Sequence, residues 1–352
     1  MAANLKRPEP TSRDDFHIAI LCALEEERDT VEALMDADLS EERQSFGKAR
    51  NDDNMYTYGK LGGKPVVLVT ASRMGTTTMK EVASGLHMSF FNILYAFLVG
   101  ITGGAPFRHE AGTWQESDIH LGDVLVSTHV IEYDFGKVYE NDFKRKRSFN
   151  DELPPATKGV TNFVRQFQNG RSAAFRRLLN KTSIDLAKHD TLGRDDDYAH
   201  PGANTDNVYA PQDRHKHQKL GICAICDQCT AWHHDVCKAA IEADCEELGC
   251  EPARRNLARP TKIHFGWYAS GNAVMKSGRQ RDLLVERDNV IGFEMEGAGA
   301  WDKLPTIVVK GVVDYADSHK NKKWRRYPAA RAALCVAAMI QEIDLPDRPQ
   351  VG

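Results

Sequence analysis

The 352-residue sequence predicts an α/β fold in which a sheet lies between two layers of helices. Two observations lead to this prediction. Apolar runs of strand length, such as 16–24 and 93–104, are nearly continuous, as in strands buried on both faces. Segments with helical spacing alternate with these runs, which is typical of a sheet covered by helices on both sides. A hydrophobic content of 41% is enough for the core of such a fold.

Most of the strand signals lie in the first 140 residues or so. The run 16–24 is followed by a helix whose first turn is acidic, which suits a helix N-terminus. Gly62 and Gly63 indicate a tight turn between two strands. The expected elements are a strand at 16–24, a helix at 25–36, two strands within 55–71, a helix at 76–92, and strands at 93–104 and 122–136.

The predicted core resumes after a polar segment at about 144–260, which has the character of an insertion with loops. One helix is expected within it, from Thr161 to Leu179. We therefore expect a disordered tail at 1–15 and a single domain at 16–345 that carries the insertion. The later elements are expected as a strand within 261–278, a strand at 290–293, a helix at 294–304, a strand at 305–314 and a helix at 327–343.

Composition argues against several classes of protein. A net charge of −4 gives no electrostatic support for nucleic-acid binding. No apolar run reaches the length of about 18 residues that a membrane-spanning helix needs. The N-terminus is polar and has no apolar segment of the kind found in secretory signals, so we expect a cytoplasmic protein.

Six of the eight cysteines lie between Cys223 and Cys250. In a chain without a secretory signal, thiols are more often free or metal-bound than paired in disulfides. Cys223, Cys226 and Cys229 have the spacing C-x2-C-x2-C, with two histidines at 233–234, and such a segment can bind structural zinc. The alternative is a set of reduced thiols that pack a small helical hairpin. We expect neither a metal nor a cofactor at the active site.

Carboxylates follow several predicted strands on their carboxyl sides, where open α/β sheets bind ligands. Glu27 follows the first strand, Glu294 and Glu296 follow the strand at 290–293, and Asp314 ends the last strand. Carboxylates accept hydrogen bonds from hydroxyls, and glycines let the backbone approach a ligand. The pattern predicts a site for a neutral, polyhydroxylated ligand, with small or polar neighbours at Thr102, Gly103, Ser270 and Asn272.

Four segments, in order along the chain, carry a resemblance to one enzyme family. They are "IAILCALEEERDTVEALMD", "GITGG" with "GDVLVSTHVIEYDFG", "ASGNAVM" with "FEMEGAGAW", and "VVKGVVDYADSHKNKKW". The chain resembles the purine nucleoside phosphorylase and uridine phosphorylase superfamily. It is most similar to the hydrolytic branch, typified by methylthioadenosine/S-adenosylhomocysteine nucleosidase, and to fungal proteins with this domain. The resemblance covers 16–143 and 261–343 and implies a three-layer, nucleoside-phosphorylase-like fold with a mixed central sheet.

The resemblance also implies roles for individual residues. Glu296 would accept hydrogen bonds from the ribose 2′ and 3′ hydroxyls, with Met295 against the sugar. Asp314 would protonate the departing purine as a buried carboxylic acid. Glu27 would hold the attacking water below C1′. Further substrate contacts are expected at Thr102, Gly103, Tyr133, Phe135, Ser270, Asn272 and Val274.

Each carboxylate also has a purely structural interpretation. Glu296 can cap the following helix and face solvent, Asp314 can cap the next segment, and Glu27 can be an ordinary acidic residue of a first helical turn. Asp317 is expected to be a cap or a surface partner of Lys320. The basic residues that follow are expected to form a solvated loop.

Water is favoured over phosphate as the nucleophile. The resembling phosphorylases have an arginine and a serine where this chain has Leu98 and Ile101, and neither can bind phosphate. Glu27 would repel a dianion, and Arg28 and Arg73 can be surface residues. The expected function is hydrolysis of the N-glycosidic bond of a purine ribonucleoside. The alternatives are a purine nucleoside phosphorylase and a non-catalytic nucleoside- or nucleotide-sensing domain.

The identity of the base is left open. The nucleosidases stack an aromatic side chain on the purine where this chain has Val274, so Tyr133, Phe135 or Trp267 would have to supply the stack. Nucleosides of adenine, hypoxanthine and guanine, and their 5′-phosphorylated forms, all stay possible. The resemblance implies a homo-oligomer, with a dimer favoured, and a small-molecule nucleoside as partner.

Overall fold

The computed structural model describes residues 9–140, 143–148, 150–184, 186, 189, 192–194, 198–230, 234–254 and 259–346. Its strands are β1 (Ile18–Cys22), β2 (Ala37–Asp38), β3 (Tyr56–Leu61), β4 (Lys64–Thr70), β5 (Tyr95–Gly104), β6 (Phe107–Glu110), β7 (Thr113–Glu116), β8 (Val124–Glu132), β9 (Gly136–Val138), β10 (Phe143–Arg145), β11 (Asn207–Val208), β12 (Ala253–Arg254), β13 (Ile263–Ser270), β14 (Val290–Glu294) and β15 (Thr306–Asp314). Its α-helices are α1 (Glu25–Ala33), α2 (Arg43–Phe46), α3 (Thr76–Ser89), α4 (Lys158–Gln168), α5 (Ala173–Thr182), α6 (Ala224–Gln228), α7 (Lys238–Glu242), α8 (Cys245–Leu248), α9 (Gly278–Asp288), α10 (Gly297–Trp301) and α11 (Arg326–Gln341).

Within these residues, a mixed nine-stranded sheet has the order β14-β13-β8-β15-β5-β1-β4-β3-β2. β15, β5, β1 and β4 run parallel to one another, whereas β8 runs antiparallel to β15. β13 is parallel to both β8 and β14. β14 also pairs with the end of β5, which closes five of the strands into a ring. The closure brings the carboxyl ends of β5, β14 and β15 together.

The two faces of the sheet bury separate apolar clusters. Ala19 and Leu21 of β1 point into one cluster, which includes residues of α3. Ile18 and Ile20 point into the other, which includes residues of α4 and α11. Burial on both faces explains why β1 is a continuous apolar run in the sequence. The α/β fold with a mixed central sheet flanked by helices is therefore confirmed.

Three helices differ from the prediction. The single helix expected from Thr161 to Leu179 is two helices, α4 and α5, because Ser172 starts a new one by accepting a hydrogen bond from the N–H of Phe175 at 3.0 Å. The helix expected at 294–304 is the short α10. α9 was not predicted, since its sequence is dominated by charged residues and has little apolar periodicity.

Part of the segment predicted as a disordered tail, 1–15, has a defined local structure. Arg13–Asp15 form a 3-10 turn, capped by Ser12. Asn92 fixes the turn by donating a hydrogen bond to the carbonyl oxygen of Asp14 at 2.8 Å. Residues 1–8 lie outside the described residues. None of the helices in the described ranges is both long and apolar enough to span a bilayer.

Candidate active site

The carboxyl ends of three strands meet at Gly103. Asp314, at the end of β15, lies opposite Gly103 of β5, and Phe293 of β14 pairs with the same glycine. A Cβ atom at Gly103 would lie 3.0 Å from Asp314 Oδ1, so the absent side chain leaves room for the carboxylate. Glu294 follows Phe293 directly, and Glu296 follows Met295. The strand registers therefore bring together the carboxylates that the sequence places at separate strand ends.

Glu27 is held at the end of β1 by three backbone N–H groups. Its Oε2 atom accepts hydrogen bonds from Ala23 and Leu24 at 2.9 and 3.0 Å, and its Oε1 atom accepts one from Ile101 at 2.9 Å. A side chain at Gly100 would collide with this carboxylate. A carboxylate has about four acceptor positions, so one is left on Glu27 for a water or a hydroxyl.

Burial affects the protonation of Glu27. The residue is 2% exposed, and desolvation raises its pKa above the ordinary value. Lys310 opposes this shift, and Glu296 adds to it. Glu27 is therefore not an ordinary acidic residue of an exposed helical turn.

A buried lysine is the partner of Glu294 and Glu296. Lys310 Nζ donates a hydrogen bond to Glu296 Oε2 at 2.7 Å and lies 3.6 Å from Glu294 Oε2. The three side chains are between 0% and 4% exposed. Burial alone would lower the pKa of Lys310, but Glu296, Glu294 and Glu27 more than offset this and raise it. Lys310 is therefore a buried cation that faces three carboxylates.

The two glutamates of the "EME" motif differ in what they hold. Glu294 Oε2 accepts hydrogen bonds from the N–H groups of Glu296 and Gly297 at 2.9 and 2.7 Å, so Glu294 caps α10 from a buried position. Burial raises the pKa of Glu294, and Lys310 opposes the shift. Glu296 does not cap the helix, and its Oε1 atom has a long contact of 3.4 Å with the N–H of Gly75. Glu296 thus keeps acceptor capacity for a ligand.

Asp314 is less enclosed than the glutamates. Its Oδ1 atom accepts a hydrogen bond from the N–H of Ala316 at 2.8 Å and lies 2.7 Å from Lys320 Nζ. The side chains of Asp314 and Lys320 are 12% and 30% exposed. Asp317 was expected to be a cap or a surface partner of Lys320, and Lys320 instead pairs with Asp314. Asp317 is buried, and its Oδ atoms contact the N–H of His319 at 2.8 Å and Arg281 at 3.8 Å.

Three polar side chains predicted to contact the substrate form hydrogen bonds within the protein. The Thr102 hydroxyl donates to a backbone carbonyl of β14 at 2.9 Å, and Ser270 Oγ accepts from a backbone N–H of α10 at 3.0 Å. Asn272 Oδ1 accepts hydrogen bonds from the N–H and hydroxyl of Thr76, at the start of α3. These side chains tie the strand ends to the neighbouring helices.

A cavity of about 2620 Å³ opens beside Asp314. It lies between the sheet end and the segment from Asn204 to Pro252, and Tyr133, Val274 and Lys320 also line it. Other predicted site residues are not part of its lining in the described regions: Glu27, Glu296, Met295, Thr102, Gly103, Ser270 and Asn272. The site thus has an open side at Asp314 and a sealed side at the glutamates.

The aromatic candidates are separated by the structure. Tyr133 borders the cavity and donates a hydrogen bond to the carbonyl oxygen of Ala273 at 2.7 Å, and burial raises its pKa to about 12. Phe135 instead lies under the Lys146 ammonium, 4.6 Å from its ring centre, away from the cavity lining. Trp267 packs against His129 on β8, with ring centres 4.9 Å apart. Of the three aromatic candidates, Tyr133 alone borders the cavity.

The arginines considered as phosphate ligands are surface residues. Arg28 pairs with Asp29 at 2.7 Å, and Arg73 donates a hydrogen bond to the hydroxyl of Thr78 at 3.0 Å. Leu98, at the position of a phosphate-binding arginine in the resembling phosphorylases, is fully buried.

Lys310 is the main residue that the sequence analysis missed. It is the one charged side chain between Thr306 and Val313, in an otherwise apolar strand. A charged side chain in such a strand needs a buried counter-charge. The sequence therefore predicts that Lys310 has a buried counter-charge, but it does not identify which carboxylates supply it.

Comparison with known proteins agrees with this fold. The family model of the phosphorylase superfamily matches residues 17–186, a segment that includes Glu27 and Gly103. This match spans just under half of the chain. The fold is similar to that of futalosine hydrolase of Helicobacter pylori, with a TM-score of 0.53 at 13% identity over 94% of this chain and 99% of that one. It is equally similar to 5′-methylthioadenosine/S-adenosylhomocysteine nucleosidase of Neisseria meningitidis in complex with methylthio-immucillin-A, with a TM-score of 0.53 at 13% identity over 95% and 100% of the two chains.

This chain also has a relative of a different kind. It is 28% identical over 327 residues to a nucleotide-binding leucine-rich repeat (NLR)-like protein of Hyaloscypha variabilis. The match covers 91% of this chain but 28% of the length of that relative.

Proposed function

We propose that this chain hydrolyses the N-glycosidic bond of a purine ribonucleoside. The observation that carries the proposal is the buried group of Glu27, Glu294, Glu296 and Lys310 beside Asp314. With three carboxylates and one ammonium, the group has excess negative charge when all of them are ionised. Cleavage leaves positive charge on the sugar, so fixed negative charge stabilises the transition state more than the neutral substrate.

Glu27 and Glu296 have separate roles on the sugar side. The backbone N–H groups around Glu27 fix its position and leave one acceptor position, which suits it to hold a water for attack at C1′. Glu296 would exchange its long contact with Gly75 for the ribose hydroxyls while keeping its bond to Lys310. Since the glutamates do not line the cavity, the segment that contains Gly75 has to shift when the nucleoside binds.

Asp314 is proposed as the acid that protonates the departing base. It lines the cavity, where a purine would enter. A general acid must carry a proton, whereas the Lys320 ammonium, at 2.7 Å, pairs with the ionised carboxylate. Lys320 therefore has to leave Asp314 before proton transfer, and the bound base is the group that would displace it. Tyr133 and Val274 would contact the purine ring from the cavity wall.

The charge of the buried group argues against phosphate as the nucleophile. A phosphorylase has to bind a dianion, usually through several arginines and backbone N–H groups. Here Arg28 and Arg73 are engaged at the surface, and Lys310 is engaged by carboxylates. A phosphate next to Glu27 would be repelled.

The test is the release of free base and sugar from inosine, guanosine, adenosine and methylthioadenosine, with and without phosphate. We expect free ribose, or methylthioribose, in phosphate-free buffer and no dependence on phosphate. Ribose 1-phosphate formed only with phosphate would reject hydrolysis. The substrate with the highest kcat/KM would identify the base. The homodimer implied by the resemblance stays a prediction, which sedimentation velocity can test.

A second candidate function is favoured by the NLR-like relative. A domain of this kind in a larger protein can recognise a nucleoside or nucleotide without turning it over. In that case the four nucleosides would bind, as measured by calorimetry, with no release of base. Binding without turnover by the purified chain, under conditions where its fold is intact, would favour this second function over the first.

A further inference from the structure

The described residues between β11 and β12 include two groups of three metal-ligating side chains. One consists of His215, Cys245 and Cys250, and the other of Cys223, Cys226 and Cys237. Within each group, all ligand atoms lie within 4.8 Å of one another, and all of these cysteines are free thiols. We propose that this segment binds two zinc ions, one at each group.

One ligand pair of the His215 group has the spacing expected in a tetrahedral zinc site. His215 Nδ1 lies 3.4 Å from Cys245 Sγ. Zinc distances of ~2.0 Å to nitrogen and ~2.3 Å to sulfur put neighbouring ligands in a tetrahedron about 3.5 Å apart. The other ring nitrogen, Nε2, lies 3.0 Å from the carbonyl oxygen of Ala243. That carbonyl accepts a hydrogen bond from Nε2–H, so Nδ1 faces the thiols with its lone pair. Backbone carbonyls orient zinc-binding histidines in the same way.

Local backbone structure brings the two cysteines of this group together. Cys245 begins α8, a single helical turn that ends at Gly249. Gly249 has φ 73°, a left-handed conformation that glycine adopts without strain, and the N–H of Cys250 then bonds back to the carbonyl oxygen of Cys245 at 2.9 Å. The turn places both sulfur atoms on the side that faces His215.

The second group is built on two helix starts. Cys223 immediately precedes α6, and Cys226 lies in its first turn, in the C-x2-C spacing of structural zinc sites. Cys237 immediately precedes α7. Cys237 Sγ accepts a hydrogen bond from the N–H of Ala240 at 3.4 Å, and such a bond stabilises a thiolate ligand. Cys229 lies outside the group, with its sulfur 2.8 Å from Arg214 Nη1. The zinc ligands therefore differ from the C-x2-C-x2-C run that the sequence suggested, and His233 lies outside the described residues.

The size of the local core supports a requirement for metal. Among the described residues, the buried members of the apolar cluster here are Cys226, Ala240 and Leu248. So little buried apolar surface does not hold a segment of this length, and small units of this kind are usually stabilised by metal ions or disulfides. Disulfides would leave one member of the three-cysteine group unpaired and would not use His215.

The His215 site also connects this segment to the proposed acid. The three ligands line the same cavity as Asp314, so the cavity would supply the fourth position of the metal. The N–H of His215 donates a hydrogen bond to Ser318 Oγ at 3.0 Å, and Tyr209 stacks on His319 with ring centres 3.7 Å apart. Zinc at this site would hold the segment against the loop that carries Asp314 and Lys320.

The test is the zinc content of the full chain, purified with a tag free of histidine and without chelators, measured by inductively coupled plasma mass spectrometry. We expect two zinc ions per chain. Cys250→Ser and Cys226→Ser should each retain one, and the matched control Cys229→Ser should retain two. Zinc content is independent of catalysis, so Glu27→Gln should also retain two even if hydrolysis is not found.

Cobalt spectra keep the test decisive if a cysteine variant fails to fold. Cobalt(II) added to the wild-type chain after zinc removal should give thiolate-to-metal charge transfer and the intense visible bands of tetrahedral sulfur ligation at two equivalents. A wild-type chain that retains no zinc and gives no such bands would overturn the proposal. Retention of two ions by either cluster variant would overturn the site from which that cysteine was removed.

Discussion

The two sides of the candidate site hold their charges in different ways. Glu27 is fixed by backbone N–H groups and Glu296 by Lys310. The side chains of Glu27, Glu296 and Lys310 are all buried. Asp314 lies at the cavity and is paired with Lys320, which is 30% exposed and comes from a loop. The sealed side is thus preorganised, as electrostatic stabilisation of a sugar cation requires. On the open side, Asp314 can exchange Lys320 for a bound base, as a proton donor requires.

The largest effect is expected from removing the cation on the sealed side. Lys310→Met would leave three buried carboxylates without a counter-charge, which costs about 3–5 kcal/mol when a buried pair is broken. Urea unfolding measures this loss. The matched control is Lys303→Met at the surface, with an expected change of about 1 kcal/mol or less. A Lys310→Met chain as stable as wild type would mean that the glutamates are not charged together in the folded protein.

The next effect concerns the open side. Asp314→Asn removes the proton donor and is expected to lower kcat by about 10²- to 10⁴-fold without changing stability. The assay is release of base from the best nucleoside. The defect should shrink for a riboside whose leaving group needs no protonation, such as a nitrophenyl riboside. An equal defect with both leaving groups would show that Asp314 acts in some other way.

Removing the water-holding group is expected to have a similar or smaller effect. Glu27→Gln should lower kcat by about 10²-fold, because an amide positions water less well than a carboxylate. Glu25→Gln, an exposed change in the same helical turn, is the control and should retain activity. Wild-type activity in Glu27→Gln would exclude Glu27 from the reaction.

The raised pKa of Glu27 also predicts a dependence of stability on pH. Desolvation raises the pKa of Glu27 above 4.5, so the folded chain binds this proton more tightly than the unfolded chain. The associated stability is present at low pH and is lost as pH rises through the folded-state pKa. Glu27→Gln has no carboxyl to ionise at this position and does not lose this stability. The unfolding free energy of Glu27→Gln minus that of wild type should therefore increase as pH rises above about 4.5. Urea unfolding from acid to neutral pH measures the slope, and a decrease would contradict the assignment.

The smallest effect is expected from the partner on the open side. Lys320→Met removes the ammonium that competes with the proton on Asp314, and a partly exposed pair contributes up to about 1 kcal/mol. We therefore expect kcat at neutral pH to rise by about fivefold or less, with little change in stability. A loss of activity beyond tenfold would instead make Lys320 a substrate ligand, for example of a 5′-phosphate.

The fold and the set of carboxylates could be predicted from the sequence because they follow from local signals. Continuous apolar runs gave the strands, and Glu27, Glu296 and Asp314 were found at strand ends. The partners of these carboxylates were not predictable in the same way. Lys310 and Lys320 reach them through the closure of the ring of strands and through a loop, and neither contact is encoded in a local pattern. The position of Trp267 likewise depends on which side of β13 it occupies, and that of Phe135 on the turn between β8 and β9.

The central claim is that a buried anionic group stabilises positive charge on the sugar. Isothermal titration calorimetry in phosphate-free buffer tests it most directly, by comparing a cationic iminoribitol nucleoside analogue with a neutral nucleoside analogue of the same base. Transition-state analogues bind at least about 10²-fold more tightly than substrates, and we predict such a preference for the cationic analogue, reduced in Glu296→Gln. Equal affinity for the two analogues, or binding that requires phosphate, would contradict the account.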